Sequence, residues 1–210
     1  MTASGMTPAR ILLTGFGPFG GHAHNPSGEA AAVLGGDREL LAAGVVAATL
    51  PVERRQAGAR LSALLSRHRP HTLVLTGLSA TRPALCLERL AVNRYRPAGR
   101  GAAERRIVPG GPETLRSTLP WSRSLQALRS AGVPVRGSDD AGTYTCNLAL
   151  YLALTWSRAG RLPRGGDPPR RVGFVHLPPT PQRGSAGAGA VPLAALVASL
   201  RALLAELAGT

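Results

Sequence analysis

Lysine is absent from this chain. All 25 basic residues among the 210 are arginine, set against 11 carboxylates, for a formal net charge of +14. Aromatic residues are scarce at 4%. The arginines are scattered, as in Arg54-Arg55, Arg105-Arg106 and Arg170-Arg171, and are not interleaved with rings. The base-stacking platforms of a nucleic-acid binder are therefore not expected, and no specific nucleic-acid partner is assigned. Together with heavy Ala, Gly and Pro usage, the all-arginine pattern reads as GC-rich coding bias, leaving weak association with anionic polymers at low salt as its consequence. Cysteine is equally sparse: Cys86 and Cys146 are too few for a disulfide framework and point to thiol chemistry in a reducing compartment. No apolar run approaches the roughly 18 residues of a membrane span. Met1 to Met6 lacks the basic and apolar regions of a signal peptide, so a cytoplasmic protein is expected. The glycine-rich loops contain neither GxxxxGK[ST] nor GxGxxG, which removes the phosphate-loop and dinucleotide readings. Internal repeats are lacking too.

What is present is an alternation of apolar strands with amphipathic helices. Arg10–Gly15, Gly44–Val52, Thr72–Gly77 and Arg171–Leu177 read as buried strands. Helical spacing follows in Glu53–His68, in Ser124–Ala131 and along the Leu193, Leu196, Leu200, Leu203, Leu207 stripe. Asn25-Pro26-Ser27 opens a further helix, with Ser27 as its expected N-cap. This alternation predicts an α/β fold, a three-layer αβα sandwich with a mostly parallel central sheet, over one domain spanning 1–210. Ligands of such sheets lie beyond the carboxyl ends of the strands, so the loops after Gly15 and Gly77 are expected to share a rim. Arg94–Pro120, rich in Arg, Gly and Pro and poor in periodicity, reads as an irregular excursion or small hairpin near it.

The most informative stretch runs from Ser138 to Tyr151. Val133-Pro134-Val135 reads as a short buried strand, Ser138-Asp139-Asp140 and Gly142 are turn formers, and Leu150, Tyr151 and Leu154 are spaced helically. Cys146 thus falls in the first turn of a helix on a sharp strand-to-helix turn, where backbone N–H groups and the helix dipole favour a thiolate. The competing reading is an inert buried cysteine. Among the five histidines, His176 ends the last strand and reaches the same rim, whereas His22, His24, His68 and His71 sit in polar loops or at helix ends. Glu88 lies in the mainly apolar run Leu85–Asn93, where a carboxylate needs a partner. Either a salt bridge to Arg82 or Arg89 or the orienting of a histidine would supply one.

Taken in order, these pieces resemble the pyroglutamyl peptidase I (pyrrolidone-carboxylate peptidase) family. The likeness runs through Thr14-Gly15-Phe16-Gly17-Pro18-Phe19-Gly20-Gly21 with Asn25-Pro26-Ser27, then Glu88-Arg89-Leu90-Ala91-Val92-Asn93, Gly111-Pro112, and Ser117–Pro120. It continues in Ser138, Ala141-Gly142, Tyr144, Cys146-Asn147 and Tyr151, and in Val175-His176-Leu177-Pro178. The resemblance implies a cysteine exopeptidase that removes N-terminal 5-oxoproline from peptides without a metal or cofactor. It implies Cys146 as nucleophile, His176 as base and Glu88 as orienting carboxylate. Phe16 and Phe19 would line the ring's slot with Tyr144 and Thr145, and Asn25 would offer a polar contact to the lactam. Family members are often dimers or tetramers, which carries an expectation of a homo-oligomer.

The chain also departs from the family. Gly77-Leu78-Ser79-Ala80-Thr81-Arg82 stands where two more glycines are usual, and Cys86 stands for a Ser or Thr. The family's arginine near the oxyanion would fall at Ala98, so either Arg96 or Arg100 substitutes or the role is lost. These changes keep two alternatives in view: a related cysteine amidohydrolase acting on another lactam or small amide, and a non-catalytic binder with a degenerate pocket.

Overall fold

A computed structural model describes residues 10–19, 24–97, 103–181 and 189–209. Its sheet grows outward from the most apolar segments. β1 (Ile11–Phe16) and β3 (Thr72–Leu78) are buried on both faces, as continuous Leu, Ile and Val runs require of strands covered on each side. β2 (Val45–Leu50), β4 (Leu85–Glu88), β7 (Val135–Ser138) and β8 (Arg171–Leu177) complete six strands in the order β2-β1-β3-β8-β4-β7. β2, β1, β3 and β8 are parallel. β4 meets β8 antiparallel and pairs in parallel with β7. The mostly parallel sheet therefore contains one antiparallel junction, and that junction carries Glu88.

Strand residues alternate between two cores. Leu12, Leu73, Leu75, Val172 and Phe174 face α3 (Arg54–His68) and α5 (Thr145–Ala159). Ile11, Leu13, Val74, Val175 and Leu177 face α1 (Pro26–Gly35), α4 (Trp121–Arg129) and α6 (Leu193–Ala208). The result is the expected three-layer αβα sandwich. A five-residue helix, α2 (Arg38–Ala42), follows α1 and is capped by Asp37; no apolar period announced it. No helix among the described residues is long and apolar enough to cross a membrane.

Three local expectations are corrected. The N-cap of α1 is Asn25, whose Oδ1 accepts from the Ser27 N–H (3.1 Å); Ser27 instead offers its hydroxyl oxygen to the Phe16 N–H (3.0 Å). The strand expected at Val133–Val135 begins at Val135 and is a half-exposed edge rather than a buried run, because β7 closes the sheet and pairs on one side only. Cys146 is not on a sharp strand-to-helix turn: the chain leaves β7 at Ser138 and travels through 139–144 before α5 begins. That connection is needed because β7 points away from the rim on which β3 and β8 end.

The excursion after β4 is held by buried polar groups. β5 (Leu90–Val92) pairs antiparallel with β6 (Thr114–Arg116), and Tyr95 bridges Arg105. Asn93, fully buried, accepts from the Ile107 and Val108 N–H groups (3.0 and 2.9 Å) and donates to the Val108 carbonyl (2.8 Å). Asn147 does the same from α5, accepting from the Val92 N–H (2.8 Å) and donating to the Val92 and Arg94 carbonyls (2.9 Å each).

The first turn of α1 lies directly on β1. A Cβ at Gly15 would fall 2.0 Å from the Ser27 carbonyl oxygen and 2.7 Å from the Gly28 nitrogen, a clash with backbone that no rotamer relieves. Gly15→Ala is accordingly expected to cost about 3 kcal/mol or more, as overpacking against an unyielding wall does. In a chain of this size that lowers the melting temperature by roughly 6–12 °C, measurable by circular dichroism.

Candidate active site

The site begins at the antiparallel junction. Across it Glu88 lies opposite Phe174, and Cys86 opposite His176. Glu88 and His176 are therefore diagonal neighbours on the face toward α5. Their side chains meet: the His176 Nδ1–H donates to Glu88 Oε1 at 2.8 Å. A carboxylate can only accept, so this contact puts the imidazole proton on Nδ1 and turns Nε2 outward. The Phe174 ring packs beside the imidazole, centroids 4.6 Å apart, and both Glu88 and His176 are buried.

Both readings of Glu88 hold at once. The same Oε1 accepts from Arg82 Nη1 at 2.8 Å. Arg82 also donates to the Ser138 hydroxyl (3.2 Å) and the Asp140 carbonyl (2.7 Å). The guanidinium thus ties Glu88 to the loop that leads to Cys146. Arg89, the other candidate partner, instead pairs with Asp139.

Cys146 is the second residue of α5, and its thiol and the imidazole of His176 line the same cavity. Its sulfur rests over β3, where Gly77 leaves room: a Cβ at Gly77 would stand 2.7 Å from Cys146 Sγ and 2.8 Å from the Phe174 ring. Any side chain there would displace the sulfur. The N-terminus of α5 has no side-chain cap, unlike those of α1, α2 and α3, which Asn25, Asp37 and Glu53 close. Its first-turn N–H groups are thus not engaged by a capping side chain. Burial pulls the His176 pKa down, but the hydrogen bond to Glu88 and the neighbouring Cys146 and Glu88 charges outweigh it and push it up to about 9. Burial pushes the Cys86 thiol up.

A cavity of about 920 Å³ opens onto the sulfur. Every binding residue expected from sequence lines it: Phe16, Phe19, Asn25, Tyr144 and Thr145. They do not serve alike. Phe16 is anchored in the core, whereas Phe19 and Tyr144 are 37% and 59% exposed. Thr145 donates its hydroxyl to the Val52 carbonyl (2.9 Å). Asn25 is buried, with Oδ1 on the Ser27 N–H and hydroxyl and Nδ2 donating to the Gly17 carbonyl (2.9 Å). Its amide shapes the loop that holds the phenylalanines and has little left for a ligand.

Arg96 also lines the cavity, its side chain on Glu104 (2.9 Å) and its backbone N–H on the Thr143 carbonyl (2.7 Å). Ala98, Arg100 and His22 lie outside the described residues. His24 pairs with Glu29, while His68 and His71 are away from the cavity. Sequence reasoning missed the wall built by Val52, Arg54, Arg55, Tyr95 and Arg105. The first three were accessible to it: β2 is parallel to β1, so the segment after β2 must reach the same rim.

Chemically, the arrangement offers a sulfur nucleophile, an imidazole to exchange its proton, a buried carboxylate to hold that imidazole, and backbone donors at a helix start. A family model described as pyroglutamyl peptidase matches residues 9–208. The pyrrolidone-carboxylate peptidase of Deinococcus radiodurans is 42% identical over 173 residues, covering 80% of this chain and 77% of that protein. The pyrrolidone-carboxylate peptidase of Chromobacterium violaceum is 38% identical over 198 residues, covering 91% and 89%. Among solved structures, pyroglutamyl peptidase I of Bacillus amyloliquefaciens superposes with a TM-score of 0.82 at 28% identity, covering 95% of this chain and 97% of that one. A variant pyrrolidone carboxyl peptidase from Pyrococcus furiosus gives 0.81 at 29% identity, covering 93% and 96%.

Two measurements probe this geometry without any substrate. Iodoacetamide at neutral pH should label Cys146 and spare buried Cys86, read by peptide mass spectrometry, and His176→Ala should slow the labelling by about tenfold or more. The second concerns stability. A histidine whose folded pKa is raised from 6.5 to about 9 stabilises the fold fully below pH 6.5, and that contribution disappears as pH rises through 9. Urea unfolding across this window should show the wild type losing its advantage over His176→Gln.

Proposed function

Since the chain belongs to the pyroglutamyl peptidase family, we propose that it is a cysteine exopeptidase releasing pyroglutamate from blocked peptide N-termini, with Cys146 as nucleophile, His176 as acid and base, and Glu88 as the carboxylate that holds His176. The observation that carries the assignment is the run of hydrogen bonds from Arg82 through Glu88 to His176, with His176 and the Cys146 thiol on the wall of one cavity that has an apolar floor.

Cys146 reacts as the thiolate of an ion pair with the His176 imidazolium, which Glu88 steadies through Nδ1. The five-membered lactam has no free α-amine, so an apolar slot must hold it; Phe16 and Phe19 with Val52 supply one. The sulfur adds to the carbonyl joining the oxoprolyl ring to the next residue. The oxyanion forms at the start of α5, where the backbone N–H groups can receive it. Arg96 is the cation on the described cavity wall that stands in for the family's arginine. The tetrahedral adduct collapses, the C–N bond breaks, and the imidazolium gives its proton to the departing amine. A thioester remains on Cys146. His176, now neutral, takes a proton from water as that water adds to the thioester, and pyroglutamic acid leaves with the thiolate restored.

The same reading takes residues 1–210 as one catalytic domain, since both apolar clusters flank one sheet. It places the protein in a reducing cytoplasm, in keeping with two free thiols, and expects an assembly of copies, as family members often form. A non-catalytic binder would have no use for a buried carboxylate gripping the imidazole beside a thiol.

The test is turnover of a pyroglutamyl-arylamide. Cys146→Ala should lower kcat by about a thousandfold or more. Glu88→Gln keeps the shape but weakens the hold on the charged ring, and should cost roughly a hundredfold. Equal turnover in wild type and Cys146→Ala, or a better non-pyroglutamyl amide substrate, would overturn the assignment.

A further inference from the structure

The cavity is larger and more basic than a lactam ring needs. Its volume, about 920 Å³, is near the upper end of what encloses a drug-sized ligand, so residues after the scissile bond also lie within it. Among the described residues five arginines line it, Arg54, Arg55, Arg82, Arg96 and Arg105, against one carboxylate, Glu53. Two of the five are already balanced: Arg82 by Glu88 and Asp140, and Arg96 by Glu104. Arg54, Arg55 and Arg105 have no carboxylate within ion-pair distance among the described residues. Glu53 offsets one charge at most, and its two oxygens are occupied in capping α3 through the Arg55 and Gln56 N–H groups (3.0 and 2.9 Å).

One of these cations is also held in place. The Arg54 guanidinium stacks over the Tyr95 ring, 4.9 Å from its centroid, joining the wall after β2 to the wall from the excursion. A stacked guanidinium keeps its planar donors for an anion and loses little freedom on binding one. The ring slot is apolar, so the surplus positive charge falls along the rest of the cavity, where the leaving group lies.

We infer that this enzyme selects pyroglutamyl peptides whose leaving group carries a carboxylate, through Arg54, Arg55 and Arg105. The inference rests on the exopeptidase reading above and adds to it the charge of the substrate. A carboxylate could come from an acidic side chain or from the free C-terminus of a dipeptide, and the two are separable. The experiment measures kcat/KM on four substrates: pyroglutamyl-alanine amide, pyroglutamyl-alanine with a free carboxylate, pyroglutamyl-glutamate α-amide and pyroglutamyl-lysine amide.

At low salt, at least one of the two anionic substrates should exceed the neutral amide by about tenfold, and the lysine amide should fall below it. Whichever of the two gains more identifies the source of the carboxylate. The advantage should shrink toward about twofold at roughly 0.5 M salt, where the Debye length is only a few ångströms. In the double variant Arg55→Gln with Arg105→Gln, the anionic-to-neutral ratio should drop to about threefold or less. That ratio is taken on one preparation, so a partly folded variant does not distort it. A lysine amide cleaved as well as the anionic substrates, or an anionic advantage unmoved by salt and by the double variant, would overturn the inference while leaving the exopeptidase reading intact. Failure of the exopeptidase reading looks different: none of the four substrates is cleaved, whatever its charge.

Discussion

One carboxylate oxygen organises the reactive end of this molecule. Glu88 Oε1 accepts from both Arg82 and His176 at 2.8 Å, inside a fully buried side chain. A buried carboxylate with a single partner would be costly, and an imidazole offered no acceptor would not keep its proton on Nδ1. Serving both donors resolves the two demands together. Arg82 supplies the opposite charge that Glu88 meets in the sheet, and Glu88 hands part of that constraint to His176. The arginine's remaining donors reach Ser138 and the Asp140 carbonyl. The loop delivering Cys146 is thereby registered against the strand delivering Glu88.

The sheet topology explains why such a contact is available. A wholly parallel sheet brings the carboxyl ends of its strands to one rim, but side chains from neighbouring strands then stand level with one another. Reversing β4 against β8 sets Glu88 two residues below His176 on the same face, where the carboxylate approaches the imidazole from beneath and leaves Nε2 toward the cavity. The reversal also turns β7 away from the rim, which is why residues 139–144 must carry the chain back before α5 begins. Gly77 then leaves the space in which the sulfur settles over β3.

Much of this was legible in the residues. Continuous apolar runs marked β1, β3 and β8, and helical spacing marked α3, α5 and α6, because both signals reflect burial on a regular lattice. Cys146, His176 and Glu88 could be singled out by chemistry and by motif order. Strand direction could not: nothing in Leu85-Cys86-Leu87-Glu88 says whether it runs with or against β8, and the connection before Cys146 is longer than a sharp turn for that reason. The segment between β5 and β6 was opaque because it is fastened by Asn93 and Asn147 to backbone groups, and such pinning leaves no period in the chain. Asn25 misled in the opposite way. An asparagine near a motif suggests ligand contact, but here geometry assigns it to the cap of α1.

Asn147 has a mechanical consequence. It is the residue after Cys146, and its amide is stitched to Val92 and Arg94 by three hydrogen bonds, while the Arg96 N–H holds the Thr143 carbonyl. The cavity wall bearing Tyr95 and Arg96 is therefore geared to the first turn of α5. That wall cannot swing aside like a hinged door without dragging the sulfur along, so whatever braces the wall also fixes where the Cys146 thiol stands.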